Sequence, residues 1–173
     1  MIFISGVHGV GKSYFCNLVK EATGIECYSA SSLIKERKKQ GFPADKRVAD
    51  IDENQLYLLA AVDDLRASVG EFLLDGHFCL LNTDGVITRI SLDTFTTLKP
   101  EAIVLLTEAP EIIADRRQKR DGVEHKVSDI RVFQDEEIAY AKEVAELLQV
   151  PLRISTGSND VDNTIEFIRG RRS

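Results

Sequence analysis

Residues Gly6 to Ser13 read G-V-H-G-V-G-K-S and follow the apolar run Ile2-Phe3-Ile4, so a strand leads into the spacing G-x-x-x-x-G-K-[ST]. Each position in that spacing has a chemical use. A loop that wraps a polyphosphate must turn successive N–H groups inward, and glycines at 6, 9 and 11 permit the backbone angles and close approach this requires. Lys12 adds a mobile cation, and Ser13 places a hydroxyl where it can bind Mg2+. A helix starting near Lys12 points its positive end at the phosphates. The His8 backbone matters more here than its ring.

Further along, Phe72-Leu73-Leu74-Asp75 is an apolar run ending in a carboxylate. Phosphate-loop proteins commonly present such an Asp from a second strand to Mg2+ or its water shell, and Asp75 is the candidate. The plainer alternative is an Asp that turns the chain at Gly76. His77 follows directly and either orients an acceptor or water, or serves as a hydrogen-bonding scaffold group. From Asp115 to Lys126 the chain reads D-R-R-Q-K-R-D-G-V-E-H-K, crowding Arg116, Arg117, Lys119, Arg120 and Lys126 into one segment. Arginine's planar fork neutralises a migrating phosphoryl group well, so this reads as a mobile basic flap, the alternative being a solvated helix end. Ser29-Ala30-Ser31-Ser32 could cap a helix and contact an acceptor, with Lys35 the cation of the following basic run best placed for an anion.

These residues need a scaffold, and the pattern around them supplies one. Short apolar runs alternate with helical periodicity, the signature of a parallel sheet covered on both faces by helices. Strands are expected near 2–5, 25–28, 71–75, 102–107 and 151–155. The phosphate loop is followed by a helix closed by Gly24. A helix over 52–68 carries Leu58, Val62, Leu65 and Val69 on one face, with Asp52 and Gln55 as a capping pair and Gly70 as its stop. A long helix over 128–149 turns Ile130, Phe133, Ala141, Val144 and Leu148 inward, and a last one covers 160–169. Asn82-Thr83-Asp84-Gly85 reads as the turn of a small hairpin joining 78–81 to 86–90.

At 173 residues the chain suits one domain, which at this size buries roughly 70% of its unfolded surface. A net charge of -6 argues against general affinity for nucleic acid. No apolar run approaches the roughly 20 residues that span a bilayer, and a cytoplasmic location is expected. Cys16, Cys27 and Cys79 have neither C-x-x-C nor metal-ligand spacing and read as reduced thiols.

In order along nearly the whole chain, G-V-H-G-V-G-K-S, L-L-D-G-H at 73–77, A-I-V-L-L-T at 102–107 and the arginines from 116 to 120 resemble the nucleoside monophosphate kinases, particularly the compact archaeal-type adenylate kinases. The resemblance implies an α/β three-layer P-loop NTPase fold with a five-stranded parallel sheet and a small lid segment, about 116–127. It implies ATP held by Gly6, Val7, His8, Gly9, Val10, Gly11, Lys12, Ser13 and Tyr14, with Mg2+ at Ser13 and Asp75. Arg116 and Arg120 would clasp the transferring phosphate, and the adenine would rest between the lid base and Thr156-Gly157-Ser158. An acceptor-binding segment at about 29–68 would use Ser31, Ser32 and Lys35, and His77, outside it, joins them as a candidate for the acceptor. Larger adenylate kinases carry a threonine and an arginine where this chain has Ala30 and Lys35, and an arginine in place of Cys79, so bidentate phosphate grips are lost.

The expected activity is transfer of the γ-phosphate of ATP to a nucleotide or another small acceptor, with Lys12, Asp75, Arg116 and Arg120 as the catalytic set. Two other classes stay open: an ATP-hydrolysing regulatory switch and a nucleotide-binding interaction module.

Overall fold

The computed structural model describes residues 1–40 and 53–171. β1, Ile2–Ser5, is buried at every position, as a strand must be when helices cover both faces of its sheet. The phosphate loop leaves its carboxyl end and enters α1, Lys12–Thr23, which packs through Phe15, Cys16 and Val19 and stops at Gly24, whose N–H caps the Lys20 carbonyl. β2, Cys27–Ser29, runs directly into α2, Ala30–Gln40, and α3 covers Glu53–Ser68. Asp52, the expected capping partner of Gln55, lies outside the described residues.

β3 is Leu73–Asp75, two residues shorter at its start than the sequence pattern suggested. Phe72 is still fully buried and its carbonyl accepts from Ile2 N at 3.1 Å, so the apolar run begins before the strand ladder does. β4, Cys79–Leu81, and β5, Ile87–Arg89, pair antiparallel as the expected hairpin, separate from the main sheet. Asn82 builds its turn by accepting from Asp84 N at 3.0 Å and Val86 N at 2.8 Å. A short helix that the sequence pattern did not suggest follows: α4, Leu92–Leu98, capped by the Ser91 hydroxyl.

β6, Ala102–Thr107, leads to α5, Pro110–Asp121, and α6, Val127–Leu148. β7, Leu152–Thr156, a single 3-10 turn and α7, Val161–Arg169, complete the chain. Arg116, Arg117, Lys119 and Arg120, four of the residues of the expected basic flap, lie on the regular helix α5, which ends at Gly122 with φ 70°. Pro110 starts that helix and the last-turn cations Lys119 and Arg120 suit its negative end, so a basic run and a helix end are the same feature here.

The five parallel strands lie in the order β2-β3-β1-β6-β7. Ile4 is opposite Asp75 in the β1–β3 ladder and opposite Val104 in the β1–β6 ladder. The phosphate loop and the chain after Asp75 therefore leave the same sheet edge side by side, where open α/β sheets bind ligands. Beneath them Phe3, Phe78 and Phe95 form an edge-on and tilted cluster with centroids 4.8–5.5 Å apart, buried to 2% exposure or less. Each such side chain contributes roughly 2–3 kcal/mol of apolar burial. No helix among the described residues is long and apolar enough to cross a membrane.

Candidate active site

The loop between β1 and α1 takes the backbone shape that its glycines permit. Gly6, Gly9 and Gly11 have φ of 146°, 83° and 109°. At Gly6 a Cβ would also stand 2.6 Å from the Leu106 carbonyl oxygen, a backbone atom that cannot step aside, so no other residue fits. α1 starts at Lys12, and the first N–H groups of a helix have no partner inside it. Tyr14, 67% exposed, stands on the outer rim.

Lys12 is held inside the loop. Its Nζ donates to the Gly6 carbonyl at 2.7 Å and lies 3.8 Å from Asp75 Oδ1. Burial lowers its pKa, opposed by the carboxylates of Asp75 and Glu137. Asp75 shows the converse: burial raises its pKa, and Lys12 and His77 hold it down. The two charges meet beside the paired ends of β1 and β3, Asp75 from the end of β3 and Lys12 from the first turn of α1.

At Gly76 the chain passes directly against the Phe3 ring, where a Cβ would stand 2.8 Å away. His77 then faces inward, with Nε2 3.4 Å from Lys12 Nζ and Nδ1 3.4 Å from Glu137 Oε1. The His8 ring is 4.4 Å from it, centroid to centroid. Glu137, on α6, is fully buried and accepts from Ser5 Oγ at 2.8 Å and from Phe78 N and Cys79 N at 3.2 Å each. One carboxylate thus ties the end of β1, the turn after β3 and α6 together. The sequence reading did not single it out, although it sits on the stripe of Ile130, Phe133, Ala141 and Val144, where a charge needs a partner.

The arginines of α5 reach the loop from the other side. Arg116 Nη1 donates to the Val10 carbonyl at 2.9 Å and Nη2 to Glu108 at 3.4 Å, while Arg117 Nε donates to the His8 carbonyl at 2.7 Å. Arg117 is a support that sequence reasoning placed in the basic crowd without a role. Arg120 pairs with its neighbour Asp121 through both Nε and Nη2.

Two cavities open on this arrangement. One of about 550 Å³ is lined by His8, Gly9, Gly11, Lys12, Ser13, Tyr14, Ser31, Asp75, His77, Arg116 and Arg120 among others. A second of about 300 Å³ lies beyond the loop, between Tyr14, Glu108, Arg116, Gly157 and Ser158, at the expected place for an adenine. Tyr14, Gly11 and Arg116 border both. Ser13 and Asp75 also share a third hollow between α1 and the ends of β2 and β3, and a hydroxyl with a carboxylate is the oxygen donor set that Mg2+ takes. Of the expected acceptor residues, Ser31 and His77 line the larger cavity. Ser32 and Lys35 are exposed on α2 and are not among its lining residues.

Comparison with known proteins agrees with this geometry. A family profile described as an AAA domain matches residues 5–134. A curated relative from Methanocaldococcus jannaschii, named "Putative adenylate kinase", is 22% identical over 174 positions, covering 99% of this chain and 87% of the relative. Among solved structures, a gluconokinase from Sinorhizobium meliloti superposes with a TM-score of 0.54 at 17% identity over 99% of this chain and 97% of that one. An uncharacterized protein from Eubacterium ventriosum does so with a TM-score of 0.53 at 12% identity, over 98% and 95%. At these identities the two structures share the fold with this chain.

Proposed function

This chain belongs to the AAA domain family and folds as a kinase-like P-loop domain, and from that premise we propose that it is an ATP-dependent phosphotransferase of the cytoplasm acting on a nucleotide or another small acceptor. The observation that carries this reading is the position of Lys12. Its ammonium sits inside the glycine loop, 3.8 Å from Asp75, and lines the larger of two cavities, which share Gly11, Tyr14 and Arg116 and are large enough for a separate acceptor and for a donor's base. A hydrolytic switch has no need of the second chamber.

In this reading the main chain from Gly6 to Tyr14 holds the ATP phosphates, and the hollow bounded by Thr107, Glu108, Gly157 and Ser158 takes the adenine. Ser13 and Asp75 would hold Mg2+, which when bound neutralises phosphate charge. Lys12, Arg116 and Arg120 place positive charge where negative charge is carried on the transferring group, and Asp75 and His77 face the acceptor. Ser31 contributes a hydroxyl to the acceptor wall. Positioning and charge, rather than covalent chemistry, do the work.

Calorimetry with ATP and release of ADP test the reading. Heat of ATP binding is expected only with Mg2+ present, and ADP release only with an acceptor. Lys12→Ala should lower turnover by about 10^2–10^3-fold. ADP release indifferent to every acceptor would make the protein a hydrolytic switch, and no Mg2+-dependent ATP binding would end the reading.

A further inference from the structure

Two of the three cysteines meet beside the phosphate loop. Cys16 on α1 and Cys27 at the start of β2 bring their sulfurs to 2.7 Å, and both are free thiols. They stand 11 positions apart, so the fold and not a C-x-x-C spacing makes the pair. A disulfide holds its sulfurs about 2.05 Å apart, so a bond needs them to close by only about 0.7 Å. Both line the hollow of about 310 Å³ that Ser13 and Asp75 also border, which gives a small oxidant its route. Cys16 is 6% exposed, whereas Cys27 is half-buried and is the sulfur an oxidant meets first. The hydrogen bond to Cys27, and then burial, raise the pKa of the Cys16 thiol, while Lys12 opposes them. Oxidation of Cys27 removes that hydrogen bond and leaves Lys12 to favour the Cys16 thiolate.

We propose that Cys16 and Cys27 are a reversible dithiol–disulfide couple, and that closing it weakens the hold of the phosphate loop. Cys16 follows Lys12 by four positions and Ser13 by three, so the three share one face of α1. Joining Cys16 to β2 therefore shifts the residues aimed at phosphate and Mg2+, and a misplacement of roughly 1 Å can cost a site about 10^2-fold. The bond stands on the geometry alone, and its effect on nucleotide rests on the phosphotransferase reading above. The oxidant is a hydroperoxide. The Cys27 thiolate attacks one peroxide oxygen, the O–O bond breaks, and the departing hydroxide takes up a proton, leaving a sulfenic acid at Cys27. The Cys16 thiolate then attacks that sulfur, the S–S bond forms, and the sulfenic hydroxyl leaves and is protonated to water. Two thiols and one hydrogen peroxide thus give one disulfide and two waters, the sulfurs losing the two electrons that the peroxide gains. A small dithiol reverses the bond by exchange and is itself oxidised.

The test treats the whole chain with hydrogen peroxide and then measures free thiols in denaturant, peptide masses, the thermal midpoint, Mg2+-dependent ATP affinity and turnover. Free thiols are expected to fall from three to one, with residues 16 and 27 joined in one peptide. The thermal midpoint should rise by about 5–10 °C. ATP affinity and turnover should each fall by about 10-fold. Dithiothreitol should reverse every change. Cys27→Ser, and Cys16→Ser as a second variant at the buried partner, should form no bond and keep ATP affinity under peroxide. An unbridged sulfinic acid, or a bond between two chains, would overturn the couple. A bond formed with ATP affinity and turnover unchanged would overturn its effect on the loop, as would losses of equal size in Cys27→Ser. Weakened ATP binding on oxidation, in a chain that releases no ADP with any acceptor, would support the couple and overturn the transferase.

Discussion

At the scale of single residues, the His8 ring sits 4.4 Å from the His77 ring, with Lys12, Arg117 and Arg120 nearby. Although the residue keeps an exposed face, desolvation of the ring first, and then repulsion from His77, Lys12, Arg117 and Arg120, push its pKa from 6.5 down to about 4. Between those two values the unfolded chain holds a proton that the folded one refuses, so this group's contribution to stability is complete above pH 6.5 and is lost as pH falls toward 4. The thermal midpoint is therefore expected to drop from pH 7 to about pH 4.5, and His8→Asn to flatten that slope. Scans of both proteins across this range check it, and parallel slopes would remove His8 from the account. The ring was set aside at the sequence level because nothing local announces His77, 69 positions away.

At the scale of elements, α6 and α5 do different work on the same loop. α6 inserts Glu137 between β1 and the β3–β4 turn. Replacing it with Leu leaves Ser5 Oγ, Phe78 N and Cys79 N without an acceptor, for a loss of about 3 kcal/mol or more, whereas Glu137→Gln keeps an acceptor and should lose less. Urea denaturation of the two variants separates these outcomes. α5 carries its arginines on a regular helix, which sets their spacing along one element. Arg120→Ala should lower turnover by about 10^3-fold, equivalent to about 4 kcal/mol of barrier, with little effect on stability because its bonds are to exposed Asp121. Arg116→Ala should lower turnover comparably and also cost about 1 kcal/mol of stability, since the bond to the Val10 carbonyl goes with it. Steady-state rates with thermal melts distinguish the pair, and unchanged turnover in both would remove α5 from the chemistry.

At the scale of the whole molecule, the strand order 2-3-1-6-7 puts β1 in the centre with β3 on one side and β6 on the other. That arrangement places the loop, Asp75 and the chain leading to α5 at one edge, though they are far apart in sequence. The cavity of the proposed acceptor gathers residues from β1, α2, α3, the β4–β5 hairpin, α4 and α5. The aromatic cluster of Phe3, Phe78 and Phe95 serves both as core and, through Phe3 and Phe95, as the chamber's floor, so packing and ligand shape are coupled.

The glycine loop, its preceding strand and following helix, the alternation that makes a parallel sheet, and the Asn82 turn were all readable along the chain. Each is a local affair: backbone angles that glycine permits, a side chain meeting an amide two or four positions on, an apolar period. Asp75 was readable for the same reason, as the polar end of an apolar run. Only the tertiary structure decided that Glu137 anchors the turn beside it, that Arg117 props the His8 carbonyl, that the arginines of the basic segment lie on a regular helix, and that Gln55 and Thr94 line one cavity. Those facts depend on burial and on partners 39 to 132 positions apart, and a charge or an amide has no meaning for function until the fold determines what surrounds it.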